Sequence, residues 1–327
     1  MEQAMTRLRL LVTLAGAAAI GAVAVSAADK AASGTVAGRP ALAAPLASRA
    51  PLTAVTRAGN AWVAVGDYGV VLRSDDGKDW QQAQAVPVDT LLTAVTFVSA
   101  HQGWAVGHGG LVLGTGDGGK AWSLLATVEG APTLLSVWFG DAQRGIVTGA
   151  YGAAFATRDG GRTWQRLTVG RDRDAELHLN HVFAAGQALF IAAESGAAFR
   201  STDGGESWSR LKTNASGSLW TGSGLRDGTV LLAGMSGRVL ASRDQGETWT
   251  ALASGTEQAL TGLIETEGGE VVAVGNGGVV VRVAAGLEKA RLTVRADRQN
   301  LAAVAAVPSG LALLGQQGVM TADADQK

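Results

Sequence analysis

Five aspartates recur in one setting, and paired carboxylates are what a hydrolase would use for acid–base work. Asp75, Asp117, Asp159, Asp203 and Asp244 each stand two residues before a glycine and five before a tryptophan. Those tryptophans, Trp80, Trp122, Trp164, Trp208 and Trp249, are 42, 42, 44 and 41 residues apart. Four of the five units fit Ser/Thr-x-Asp-x-Gly-x-x-Trp, as in Thr115-Gly-Asp-Gly-Gly-Lys-Ala-Trp122; the first has Arg73 in the hydroxyl position. In-register repetition argues for folding rather than for a single reaction centre. An Asp carboxylate can accept hydrogen bonds from backbone N–H groups a few residues on. The Trp then re-enters a strand and buries a large ring between neighbouring units. The octet predicts a hairpin clasp and no catalytic carboxylate.

Other residues of catalytic type carry less. Gly114-Thr-Gly-Asp-Gly-Gly119 matches a dinucleotide fingerprint by letter, but it lies in a repeat turn without the strand-to-helix context that motif needs. Glu176, His178 and His181 cluster near the long segment 169–179. Nothing there supplies further ligands at metal-site spacing, so neither a metal nor a cofactor is expected. The absence of Cys excludes a disulfide scaffold, a thiolate site and a thiol nucleophile. With 27 Lys+Arg against 28 Asp+Glu in 327 residues, the chain has no electrostatic case for binding nucleic acid. Asn214-Ala-Ser216 is a glycosylation sequon, relevant only in a eukaryotic secretory pathway.

A second motif shows which elements hold the clasps. Four-residue turns close on Gly69, Gly110, Gly152, Gly196, Gly237, Gly278 and Gly318, which are 41, 42, 44, 41, 41 and 40 residues apart. Each is flanked by β-prone runs, such as Trp62-Val-Ala-Val65 before and Val70-Val-Leu72 after, and this is a hairpin signature. Another apolar run precedes each hairpin, as at Leu52-Thr-Ala-Val55 and Leu92-Thr-Ala-Val95. Each repeat therefore holds an inner strand A, strands B and C across the glycine turn, the clasp, and a strand D begun by the Trp. The expected fold is all-β: a seven-bladed β-propeller with four-stranded antiparallel blades. Only nine residues follow Gly318 in this sequence, so the last blade lacks its own strand D. The segment 41–48 is expected to supply that strand and close the ring, removing an open edge.

The first residues read as export machinery. Arg7 and Arg9 precede an uncharged apolar run from Leu10 to Val25, and small residues follow at Ser26-Ala-Ala28. This pattern predicts a signal peptide over 1–27, a flexible tether over 28–38 and the propeller over 39–327. The expected location is the periplasm.

With the repeats laid out, the chain resembles two known families. The clasp octets look like the Asp boxes of sialidases, which lie away from the catalytic centre. The longer pattern of Val95-Thr-Phe97, Gly103-Trp-Ala-Val-Gly107 and Thr115 to Trp122 resembles the photosystem II stability/assembly factor family and its bacterial relatives. That resemblance covers residues from about 40 onward and implies a non-enzymatic exported propeller that binds membrane-protein partners during assembly. In phototrophs the implied partner is a photosystem II subunit in the thylakoid lumen; in other bacteria it is an envelope complex, including transporters. The family's arginine cluster has no legible counterpart here. The alternative is a glycoside hydrolase of sialidase type, which needs three arginines and a Tyr/Glu nucleophile pair. This chain has two tyrosines, Tyr68 and Tyr151, both on glycine turns. The expected partners are therefore protein subunits of a membrane or envelope complex, bound by a monomer, with no small-molecule substrate.

Propeller connectivity assigns the binding face. B–C turns and D–A connections emerge on one face, and A–B turns and clasps on the other. The B–C turns keep their glycines but vary between them: Tyr68, His108, Tyr151, Glu194, Met235, Asn276 and Gln316. A fixed turn that presents different side chains round a ring suits recognition. Arg171 and Arg173, in the longest D–A connection, add charge on the same rim.

Overall fold

Short runs of Val, Ala and Leu broken by glycine turns produce seven antiparallel sheets in chain order. In this computed structural model, residues 39–321 are described; the expected leader and tether lie outside them. Blade 1 has strand A at Leu52–Ala58, B at Ala61–Gly66, C at Val71–Ser74 and D at Gln81–Gln82. Blade 2 repeats this as Leu92–Phe97, Gly103–Gly107, Leu111–Thr115 and Ser123–Thr127. Blades 3 to 6, within residues 134–166, 179–210, 219–252 and 260–294, are four-stranded in the same A-B-C-D order. Blade 7 has strand A at Leu301–Val307, B at Gly310–Gly315 and C at Gly318–Thr321. Successive A strands pack side by side, and that of blade 7 returns to blade 1. The architecture is a closed seven-bladed propeller.

Burial follows strand position. Strand B is central in each sheet and is covered on both faces, so Ala61–Gly66 and Gly103–Gly107 are buried throughout. The core is distributed over seven apolar clusters, one at each seam between adjacent blades. At the seam of blades 2 and 3, Trp104 stacks on Phe139 with ring centroids 3.6 Å apart, and its indole N–H donates to the Gly160 carbonyl at 2.9 Å.

The innermost ladder carries a regular irregularity. In every blade the A–B register slips after the first residue of strand A. The extra residue of such a bulge is re-aimed, and in four blades its side chain bonds to the next blade. The Thr53, Thr93 and Thr261 hydroxyls donate to the carbonyls of Leu92, Leu134 and Leu301 at 2.6 Å, and the Asn180 amide donates to Leu219 O at 2.8 Å. Blades 3, 5 and 7 have Leu135, Trp220 and Ala302 there.

Ring closure differs from the expectation. Residues 41–48 form no strand; Ala47–Arg49 is a 3₁₀ turn, and blade 7 keeps three strands among the described residues. The Ser48 carbonyl lies over Gly318 as the Val88 carbonyl lies over Gly69. The segment therefore stands in for the last blade's D–A connection, with Ala47 buried in the seam of blades 7 and 1. Upstream the chain turns onto blade 1: the Ala41 amide donates to Val86 O at 3.0 Å, and the Gln82 side chain bonds Leu42 O and the Ala44 amide at 2.9 Å. Pro40 and Pro45 flank this stretch, and a residue without an N–H cannot serve a strand ladder.

Candidate partner-binding face

The two faces are built differently. On the clasp face, the Asp117 carboxylate accepts from the Lys120 amide at 3.0 Å, the Ala121 amide at 3.1 Å and the Thr115 hydroxyl at 2.8 Å. The Gly119 amide donates to Thr115 Oγ1, and the Trp122 indole donates to Gly119 O. Asp159, Asp203 and Asp244 repeat this with Trp164, Trp208 and Trp249, each adding a hydroxyl donor from Thr163, Ser207 or Thr248. Thr163 holds the Asp159 carboxyl down at about 2, Thr248 does the same for Asp244, and Ser207 lowers Asp203 further. These carboxylates are anions committed to their own turns.

The first copy is a correction. Asp76, not Asp75, closes the turn, accepting from the Lys78 and Asp79 amides at 2.8 and 2.9 Å and from Ser74 Oγ at 3.0 Å. Asp75 pairs instead with Arg73 at 2.6 Å. This copy is one residue shorter between its hydroxyl, Ser74, and Trp80, whose indole still bonds Gly77 O at 3.3 Å.

The opposite face has a fixed backbone and free side chains. The first turn residue donates its amide to the carbonyl preceding strand A of its own blade, as from Asp67 to Pro51, His108 to Leu91, Glu194 to His178, Met235 to Ser218 and Asn276 to Ala259. The closing glycine is required twice over. At Gly152, φ is +66° and a Cβ would lie 1.8 Å from the Ala175 carbonyl. Tyr68 and Tyr151 themselves sit in the left-handed region, at φ 54° and 55°, and are 66% exposed. Ser195, Ser236 and Gly277 take the same conformation at that turn position, at φ 56°, 55° and 65°, so it belongs to the repeat. Met235 is exposed beside Gly217, His108, Gln316, Arg171 and Arg173 are exposed, and Asn276 is half-buried.

Glu194 is half committed. Its carboxylate accepts the His178 amide at 3.1 Å, and the His178 ring lies 4.9 Å from that of Tyr151. Tyr151, His178 and Glu194 thus form one patch between blades 3 and 4. His181 is not part of it. It lies on the inner strand, its Nδ1 accepts the Gly222 amide at 3.1 Å, and burial pushes its pKa down to about 4. Glu176, His178 and His181 do not converge, and the described residues contain no cluster with metal-ligand geometry.

Trp220 was not foreseen. It takes the bulge position where Thr53, Thr93 and Thr261 bond to the next blade, and it stands exposed at the mouth of the central channel beside Asn276, Asn300 and Gln316. The signal was an aromatic in a position held by threonine in three other repeats.

Five clasps on one face and variable side chains on fixed turns on the other define a repeat propeller. The matching family profile narrows this, spanning residues 120–289 and described as photosynthesis system II assembly factor YCF48. The chain belongs to that family. A YCF48 bound to D1 peptide is similar in structure at 20% identity and TM-score 0.67, covering 83% of this chain and 92% of that one. YCF48 from Cyanidioschyzon merolae is similar at 19% identity and TM-score 0.63, covering 85% and 96%. Virginiamycin B lyase from Staphylococcus aureus shares the fold at 8% identity and TM-score 0.70, covering 83% and 94%. At such identities the likeness is one of fold. No curated protein matches the chain.

Proposed function

We propose that this chain is a non-enzymatic, exported binding propeller that holds a protein segment of a membrane or envelope complex on its B–C face during assembly. One observation carries this reading. Tyr68, Tyr151, Met235 and Trp220 are large apolar side chains exposed on that face. Among the described residues the other exposed large apolar side chains are Leu42 and Leu46 in the N-terminal segment and Leu124 and Leu292 in outer strands; none is in a clasp. Tyr, Trp and Met are the types that bury most area at interfaces and adapt to a partner. Family membership and a YCF48 carrying a D1 peptide support a polypeptide ligand. In a phototroph the partner is a photosystem II subunit; elsewhere it is a subunit of an envelope complex such as a transporter. The leader read from Arg7, Arg9 and the run to Val25 supports export to the periplasm.

The positions of the tyrosines and of Arg57 speak against the hydrolase alternative. Both tyrosines lie on B–C turns, while Arg57 points to the other face, 5.2 Å over Trp62 and 3.7 Å from Glu267. Affinity capture of the mature protein from its native membranes tests the proposal. Tyr68→Ala with Tyr151→Ala should lose the captured subunit while the melting temperature stays nearly unchanged. Capture that survives this pair means that the face is misassigned. Clear turnover of fluorogenic sialosides or hexosides would overturn the non-enzymatic reading.

A further inference from the structure

Five of the seven seams are sealed by the tryptophan that opens strand D. Trp80 packs between blades 7 and 1, Trp122 between 1 and 2, Trp164 between 2 and 3, Trp208 between 3 and 4, and Trp249 between 4 and 5. At the seam of blades 5 and 6, Leu287 takes that place with Ala290 and Val294 of strand D. The seam of blades 6 and 7 has neither. Its cluster of Val272, Val274, Val280, Leu301, Val304, Leu311 and Leu313, with Ile264 and Met320 against it, includes nothing from a clasp or a fourth strand.

An open cleft of about 790 Å³ reaches this seam, where Ile264, Val304, Ala306 and Leu311 line it; it extends to Trp62 of blade 1, and Arg57, Glu265, Glu267, Glu270 and Arg282 form its charged rim. Ala306 stands five residues after Leu301, as Phe97 and Phe139 stand five after Leu92 and Leu134. Those two phenylalanines meet Trp122 and Trp164 edge-to-face at 6.0 and 6.2 Å. In blade 7 both rings of that pair are missing. In the same blade, strand C has strand B as its only ladder partner among the described residues. The N-terminal turn covers its B–C end, where Ser48 O meets Gly318, and leaves the half-buried Val319 and Met320 beyond it.

We infer that this edge and cleft form a second polypeptide site, which takes an extended segment of another protein carrying an aromatic residue at its N-terminal end. The segment adds antiparallel to Gly318–Thr321 as the missing fourth strand, with main-chain hydrogen bonds supplying affinity. Its ring enters the cleft at the seam of blades 6 and 7, as the protein's own tryptophans do at the other seams. Residues 1–38 and 322–327 contain no Phe, Tyr or Trp, so those segments bring no aromatic ring to this seam. The site is independent of the B–C face.

The molecule supplies its own probe: a labelled peptide with the sequence of residues 120–127, Lys-Ala-Trp-Ser-Leu-Leu-Ala-Thr, titrated against the full chain by fluorescence polarisation. Saturable binding is expected, at least about tenfold weaker when the peptide's Trp is Ala. Peptide should slow hydrogen exchange at those amides of residues 319–321 that point away from strand B. Ile264→Trp, which fills the cleft from within, should abolish peptide binding without lowering the melting temperature. Tyr68→Ala with Tyr151→Ala should leave it unchanged, which separates this site from the B–C face. No saturable binding, or equal binding of the Ala peptide, overturns the inference. So does prior protection of those outward-pointing amides in the free protein, which would mean that the chain's own terminal residues fill the edge.

Discussion

The two faces of this propeller solve opposite problems with the same repeat. On the clasp face, side chains are spent on the backbone: each Asp and Ser/Thr is consumed by turn amides, and each indole N–H by a glycine carbonyl. Substituting them disturbs folding. On the B–C face the backbone satisfies itself, through the amide bonds to the carbonyl before strand A, and side chains such as Tyr68 and Tyr151 are left over. A surface becomes available for recognition when main chain alone fixes its geometry.

The comparison breaks most severely in the seams that both faces share. Trp104→Ala should cost about 3–5 kcal/mol, since it removes a buried ring and its Phe139 stack. Chemical denaturation would read this as a lower midpoint at constant slope. Next come the clasps: Asp117→Ala or Asp159→Ala should each cost about 1–3 kcal/mol by leaving turn amides unpaired, with partner capture by the B–C face unaffected. The tyrosine pair should show the reverse.

Acid provides a third test. His181 is held neutral with its pKa near 4, against an ordinary 6.5, so the unfolded chain takes up its proton first. Stability it contributes is present above about pH 6.5 and falls as pH drops toward 4. Asp159 and Asp244 are held at about 2 against 3.8, so their contribution is present above about pH 4 and lost as pH falls toward 2. Melting temperatures from pH 8 to 2.5 should fall in these two windows, and His181→Gln should remove only the upper one. The smallest effect separates neighbours: Asp76→Asn should lower the melting temperature measurably, whereas Asp75→Asn, which breaks only an exposed pair with Arg73, should hardly change it.

The blades were legible because their period is carried by residues the turns demand. All seven closing glycines have positive φ and six of them are pressed on a carbonyl oxygen, so their spacing survives in every repeat. The first clasp was misaligned because spacing was counted back from Trp80. A one-residue deletion between hydroxyl and indole is invisible from that end, although Ser74 was there to be seen. Residues 41–48 stand before Leu52 as 81–88 stand before Leu92, but that spacing does not register Pro40 and Pro45, which cannot donate to a strand ladder. Trp220 was missed because a bulge changes where a side chain points without altering the hydrophobic pattern.

One contact sets the order in which the ring can assemble. The Trp104 indole reaches Gly160, 56 residues along the chain, but the Trp62 indole bonds the Ala306 carbonyl across 244 residues. Six seams join neighbours in sequence and can form as each blade follows the last during synthesis. The seventh must wait until nearly the whole chain exists, and non-local contacts of this kind are slow. Ring closure is therefore expected as the final kinetic phase of refolding. Pulsed hydrogen exchange should show amides of residues 61–66 and 301–307 protected last, with the seam of blades 7 and 1 exposed until then.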